Sequence, residues 1–341
     1  MPAAPRRSTM SSDAVTRVTV LAAVLGLLLT AGALVACSSG DPANSSVVGG
    51  AGSGSGSPSG GRPGAGGSTG PSGSATPAAG KTPTPTRPAT AGSGSCPIFP
   101  ANSIWHADVS HLPVLSSSAA YVSSIGSSAK VHADFGAGTY DGGPIGIPIT
   151  TVPAGQSGAK VSFEYADESD AGPYPIPAGA KIEGGSQSSG DRHVILYDPN
   201  RCRSYELFAA RPNGDGTWRA GSGAIFDLRG NVMRPRGWTS ADAAGLSILA
   251  GLVRYDEVAA GRIDHAIRVT APSTRNAYVW PATHAASSSG SASLPPMGLR
   301  LRLKSTVDIS RLPTQARVVA QAMKTYGVIV ADQIDVDPAN R

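Results

Sequence analysis

His193-Val-Ile-Leu-Tyr197, Asp198-Pro-Asn200 and Ser204-Tyr-Glu-Leu-Phe-Ala209 read as strand, turn signal, strand. The β-branched and aromatic residues favour extended backbone, and Asp-Pro-Asn favours a turn. The same punctuation continues outward. Candidate strands run over 145–151, 160–165, 224–228, 263–270, 277–280, 299–303 and 328–331. Lys160–Tyr165 puts Val161, Phe163 and Tyr165 on one face, and Leu299–Leu303 puts three Leu inward and two Arg outward. Asn213-Gly-Asp-Gly216 before Trp218 predicts a hairpin, and Asp141-Gly-Gly-Pro144 a further turn. Three segments read as helix: 313–326, with Pro at its start and Gly327 at its stop, 240–244 and 255–260. The expectation is a mainly β domain, a β-sandwich or jelly roll with a C-terminal helix and a last edge strand; α+β is the alternative.

The rest of the 341 residues is of another kind. Residues 38–95 are almost entirely Gly, Ser, Ala, Thr and Pro and lack the apolar side chains that offset ordering entropy. We expect residues 37–95 to be a disordered tether with a root-mean-square span of roughly 40–45 Å, and residues 96–341 to be a single extracytoplasmic domain. The net charge of +5 misleads: residues 96–341 hold 22 Lys plus Arg and 21 Asp plus Glu, a balance of +1. The remaining basic residues lie in the first 95, so a nucleic-acid-binding surface is not indicated. No heptad, no Gly-X-Y period, no Walker pattern and no Gly-x-Ser-x-Gly elbow at a strand–helix junction is present.

Arg6, Arg7 and Arg17 precede an uncharged stretch, Val18–Ala36, that ends in Leu34-Val35-Ala36-Cys37. Basic, apolar and small-residue regions in that order make an export signal. Leu-Val-Ala-Cys resembles the lipobox of bacterial lipoproteins. That resemblance implies a signal peptide over residues 1–36, a diacylglyceryl group on Cys37, and anchoring to the outer face of the cell membrane. An uncleaved signal-anchor helix is the alternative, since 19 uncharged residues just reach spanning length. With Cys37 lipidated, Cys96 and Cys202 remain in an oxidising compartment, where a disulfide between them is the economical outcome.

Further segments resemble a group of uncharacterised exported bacterial proteins over most of residues 96–332: Cys96-Pro-Ile-Phe-Pro-Ala-Asn102, Gly172-Pro-Tyr-Pro-Ile-Pro177, Ile182-Glu-Gly-Gly185, Gly190-Asp-Arg-His-Val194 and Gly237-Trp-Thr-Ser-Ala-Asp242. No activity is established for that group, so the resemblance implies export and supplies no site residues.

Candidate chemistry concentrates in residues 164–193. Glu183 and Asp191 are the types a glycosidase needs, Arg192 could clamp a carboxylate, and His193 could serve as base in a lyase. Tyr174 and Trp238 are candidate platforms for sugar rings. Asp167, Glu168 and Asp170 offer clustered hard oxygens, a candidate Ca²⁺ site without the EF-hand spacing. The six His show no short zinc spacing; His265 reads as a satisfied, partly buried side chain, although it could converge with His193. Three functions remain: an envelope polysaccharide hydrolase or lyase, a non-catalytic binding module for wall glycan or an envelope partner, and a structural lipoprotein. Two carboxyls roughly 5–10 Å apart in a cleft would favour the first, and a flat aromatic platform with those carboxyls scattered would favour the second.

Overall fold

The structure is a computed structural model that describes residues 34–37, 96–140 and 143–334. The tether expected over 37–95 lies outside the described residues, save Cys37, as does the expected signal peptide, save Leu34–Ala36. In chain order the strands are β1 Leu34–Cys37, β2 Thr139–Tyr140, β3 Gly143–Pro144, β4 Ile149–Thr151, β5 Val161–Phe163, β6 Val194–Asp198, β7 Arg203–Phe208, β8 Arg211–Pro212, β9 Trp218–Ala220, β10 Ser222–Asp227, β11 Ile267–Ala271, β12 Arg300–Leu303 and β13 Val328–Gln333. The helices are α1 Ser118–Ile125, α2 Ile248–Gly251, α3 Tyr255–Ala259 and α4 Thr314–Thr325. The protein is mainly β, as its strand-and-turn punctuation predicts.

The central sheet has the order β10-β7-β6-β4. Its β6–β7 hairpin is the segment with which the sequence reading began, paired antiparallel from Val194↔Leu207 to Asp198↔Arg203. Alternate residues of these strands enter different cores. Ile195, Ala224 and Phe226 share one core with Ile267, Leu301, Leu303 and Val330. Val194, Leu196, Tyr205 and Leu207 share the second with Val161, Ile176 and Ala220. Both faces of the central sheet are therefore covered, by the sheet β1-β12-β13-β11 on one side and by β5-β9-β8 on the other. This explains why β6 reads as an unbroken apolar run rather than an alternation. Each fully buried Val, Ile or Leu contributes about 1.5–3 kcal/mol.

Glu206 of β7 is fully buried within this packing. Its carboxylate accepts hydrogen bonds from the Ser204 and Ser247 hydroxyls and from the Ile248 and Leu249 backbone N–H groups. Burial pushes its pKa up, against these donors.

Four expectations are corrected. The strand after α4 is interior, because β13 lies between β12 and β11. Segment 240–244 is a knot of turns, not a helix: Ser240 Oγ bonds the carbonyls of Asp242 and Leu246, and Asp242 Oδ1 accepts the Ala244 N–H. Such local bonds compete with helix. Arg300 is buried rather than outward, its Nη2 donating to Ile104 O. Segment 277–280 forms a single bridge, Tyr278↔Met297, instead of a strand.

Cys96 and Cys202 stand at disulfide geometry with Cα atoms 5.3 Å apart, 106 residues apart in sequence. Leu34–Cys37 runs antiparallel beside β12, Leu34 opposite Leu303. Among the described residues no helix is long and apolar enough to cross a membrane.

Candidate acid–base site

The turn at Ile182–Gly185 and the residues leading into β6 are tied together by the backbone: Glu183 N–H donates to His193 O at 3.0 Å. This places Glu183, Asp191 and His193 in one cluster, with one ligating atom from each within 4.8 Å of the others. Among the described residues it is the one such group of His, Cys, Asp and Glu.

His193 is 4% exposed and both its ring nitrogens are engaged. Nε2 lies 3.0 Å from Ala241 O and Nδ1 lies 2.6 Å from Glu183 Oε2. A carbonyl only accepts, so Nε2 carries a proton. Burial opposes the charged ring, but the hydrogen bond and charge of Glu183 overcome it and raise the His193 pKa above 6.5. Burial likewise works to raise the Glu183 pKa, and the His193 hydrogen bond and charge overcome it, holding the carboxyl below 4.5. Both shifts favour an imidazolium beside a carboxylate, and the His193 backbone N–H adds a second contact to Oε2 at 3.3 Å. Neither ring nitrogen is left to take a substrate proton. The base role expected of His193 is replaced by one of holding Glu183 ionised and fixed in place.

Asp191 is exposed at the surface, yet its pKa is raised. Burial of the carboxyl by the surrounding chain is the main cause, and the nearby Asp332 and Glu183 charges add to it against His193 and Arg268. Two neighbouring carboxyls are therefore driven in opposite directions.

Arg192, between Asp191 and His193 in sequence, faces away from this chemistry. It is 2% exposed, and its guanidinium donates to the carbonyls of Ala210, Ser186 and Ser188. Its φ of +53° is a left-handed conformation that non-glycine residues seldom hold. The three side-chain bonds and the Ala210 N–H to Arg192 O contact hold it there. Arg192 is a staple of the loop and not the expected clamp on a substrate carboxylate.

Three residues beside the cluster, Arg268, Asp242 and Asp332, were not among the candidates drawn from the sequence. Arg268 of β11 bonds Asp242 through Nε at 3.0 Å, and its Nη2 lies 3.6 Å from Asp332. Burial pushes the Asp242 pKa up to about 6 against the pull of Arg268. Arg268 also helps to hold Glu183 ionised. These residues are far apart in the chain; the available hint was a charge flanked by Ile267 and Val269 inside a strand.

The other candidates go elsewhere. Tyr174 is fully buried, packed edge-on to Phe163 and Tyr205, with its hydroxyl donating to Asp170 O; it offers no sugar platform. Trp238 is half-buried under the Arg234 guanidinium, 5.5 Å from the ring centroid. Asp170 binds Arg234 and the Ile225 N–H, Glu168 accepts the Thr239 N–H, and Asp167 is exposed. A protein cation, Arg234, thus occupies the carboxylate expected to bind Ca²⁺. His265 is 2% exposed, bonded to Glu257 Oε2 and Ala266 O, and does not join His193.

A metal ion could draw on Glu183 and Asp191, but His193 would ligate only by giving up Glu183 or Ala241. The donor set fits proton chemistry better. Two surface recesses, both lined in part by Trp280, contain none of the three cluster residues, so the cluster sits apart from them.

Compared with protein-family models, with curated proteins and with solved structures, the chain matches none.

Proposed function

We propose that this chain is a lipid-anchored envelope enzyme that hydrolyses glycosidic bonds outside the cytoplasm, with Glu183 and Asp191 as its working pair. One observation carries the reading: two carboxyls within 4.8 Å whose pKa values are pushed apart, Glu183 down and Asp191 up. Retaining glycosidases hold a nucleophile and an acid about 5–5.5 Å apart, and opposed environments assign the roles. Glu183, ionised and held by His193, attacks the anomeric carbon. Asp191, its pKa raised, serves as the acid that delivers a proton to the leaving oxygen and then, as carboxylate, takes one from the water that releases the sugar. Hydrolysis is favoured over a lyase reaction because the residues needed for the latter, Arg192 and His193, are committed to the protein.

The lipobox, the uncharged stretch before it and the Gly/Ser tether support the location. Cleavage before Cys37 would withdraw Leu34–Ala36 from the edge of β12, which keeps its pairing with β13. The second reading, a non-catalytic glycan-binding module, is favoured by the recesses beside the exposed Trp280. Reducing ends released from a polysaccharide panel decide between them. The account expects release by the wild type, undiminished by chelator, and a loss of about 10²–10⁴-fold in Asp191→Asn and Glu183→Gln. Wild-type inactivity across the panel, or equal turnover by the folded variants, removes the proposed site.

A further inference from the structure

The recess between Trp280, Pro281 and Pro296 stands on residues that play no part in the acid–base site. It has a volume of about 70 Å³. Leu115, Tyr121 and Leu299 form apolar walls, and its only charged lining residues are Arg275 and Arg300. Arg275 is pinned by its backbone: its N–H donates to Pro295 O and its carbonyl accepts from Ala277. Its side-chain Nε is buried and has no hydrogen-bond partner among the described residues. A buried donor left unmet is destabilising, which favours a ligand that engages this guanidinium where it lines the recess. At the mouth Trp280 is 46% exposed and Val279 38%. Trp280, Pro281 and Ile104 also line a second recess of about 140 Å³, whose one charged lining residue is again an arginine, Arg234.

Charge chooses the occupant. A guanidinium selects an anion, and the planar fork of Arg275 suits a carboxylate. The recess opens beside the exposed Trp280 ring, so a carboxylate can enter it while the rest of the ligand lies across that ring. We propose that this recess binds a carboxylate-bearing sugar ring, with the carboxylate on Arg275 and the ring stacked on Trp280. The site is separate from Glu183 and Asp191 and does not depend on their activity.

The test uses the full-length chain carrying Glu183→Gln, so that turnover cannot consume the probe, and calorimetry with a four-residue oligogalacturonate. The same oligomer with methyl-esterified carboxyls, and acetate alone, are the controls. The expected result is binding of the acid, at least about tenfold weaker binding of the ester and of acetate, and a loss of about tenfold or more with Arg275→Gln or Trp280→Ala. Arg275→Lys, which keeps the charge but not the fork, should fall between. Melting temperatures identify any variant that fails to fold, in which case Arg275→Lys and Trp280→Phe carry the comparison. Equal binding of acid and ester, acetate bound as tightly as the oligomer, or unchanged affinity in the folded Arg275 variants would each overturn the proposal.

Discussion

Glu183 and His193 show how one buried contact fixes two protonation states. Lowering of the Glu183 pKa contributes stability that is fully present above 4.5 and lost as pH falls through the depressed value. Raising of the His193 pKa contributes stability that is fully present below 6.5 and lost as pH rises through the elevated value. The pair therefore stabilises the fold most between about pH 4.5 and 6.5. Melting curves across pH should show that maximum in the wild type and a flatter profile in Glu183→Gln. A wild-type profile without that maximum would contradict the ion pair. At this scale Glu183, Asp191 and His193 were legible, because loop residues of the right chemical type lay close together in sequence. Their roles were not. Which atom faces solvent depends on Ala241 and Arg268, neighbours supplied from elsewhere in the chain.

The turn that carries Glu183 is itself held by an element. Gly143 of β3 packs so closely that an added Cβ would stand 2.0 Å from Gly184 O. Gly184 has a φ of +67°, so the turn has little room to adjust. Gly143→Ala should push the β2–β3 hairpin off the turn and reduce turnover by an order of magnitude or more, with little loss of global stability, since β2 and β3 lie outside both main cores. Kinetics alongside melting curves check this; a fully active Gly143→Ala would mean that the hairpin does not position Glu183. Elements were legible where local pattern decides them. The 198–200 turn and the 213–216 hairpin announce themselves in Asp, Pro, Asn and Gly. α4 likewise follows from its Pro start and Gly stop. The 240–244 segment misleads because its Ser and Asp side chains take the backbone bonds a helix would use. The interior place of β13 depends on pairing with β11 and β12, 61 and 28 residues earlier by their first residues.

For the molecule as a whole, the Cys96–Cys202 pair ties the first described residue of the main body to the end of the central hairpin. Closing so long a loop contributes about 4–5 kcal/mol in the chain-entropy view. Cys202→Ser should lower the melting temperature by on the order of 10 °C; an unchanged value would show that the pair is reduced in the working protein. Anchoring belongs to this scale too. Cys37→Ala should release the protein from membranes on mild extraction and abolish lipid labelling, whereas retention of the variant would point to an uncleaved helix. The expected export signal and tether rest on composition and lie almost wholly outside the described residues. The stack of three sheets is not legible in the sequence, because one face of a strand cannot be told from the other when both are buried.

The central claim, that Glu183 and Asp191 cleave glycosidic bonds as a pair, is tested most directly by following the anomeric proton of the first-formed product by NMR. The account predicts product that keeps the configuration of the substrate, formed about 10²–10⁴-fold more slowly by Asp191→Asn. Inverted product, or the same product formed at the wild-type rate by folded Asp191→Asn, would contradict it.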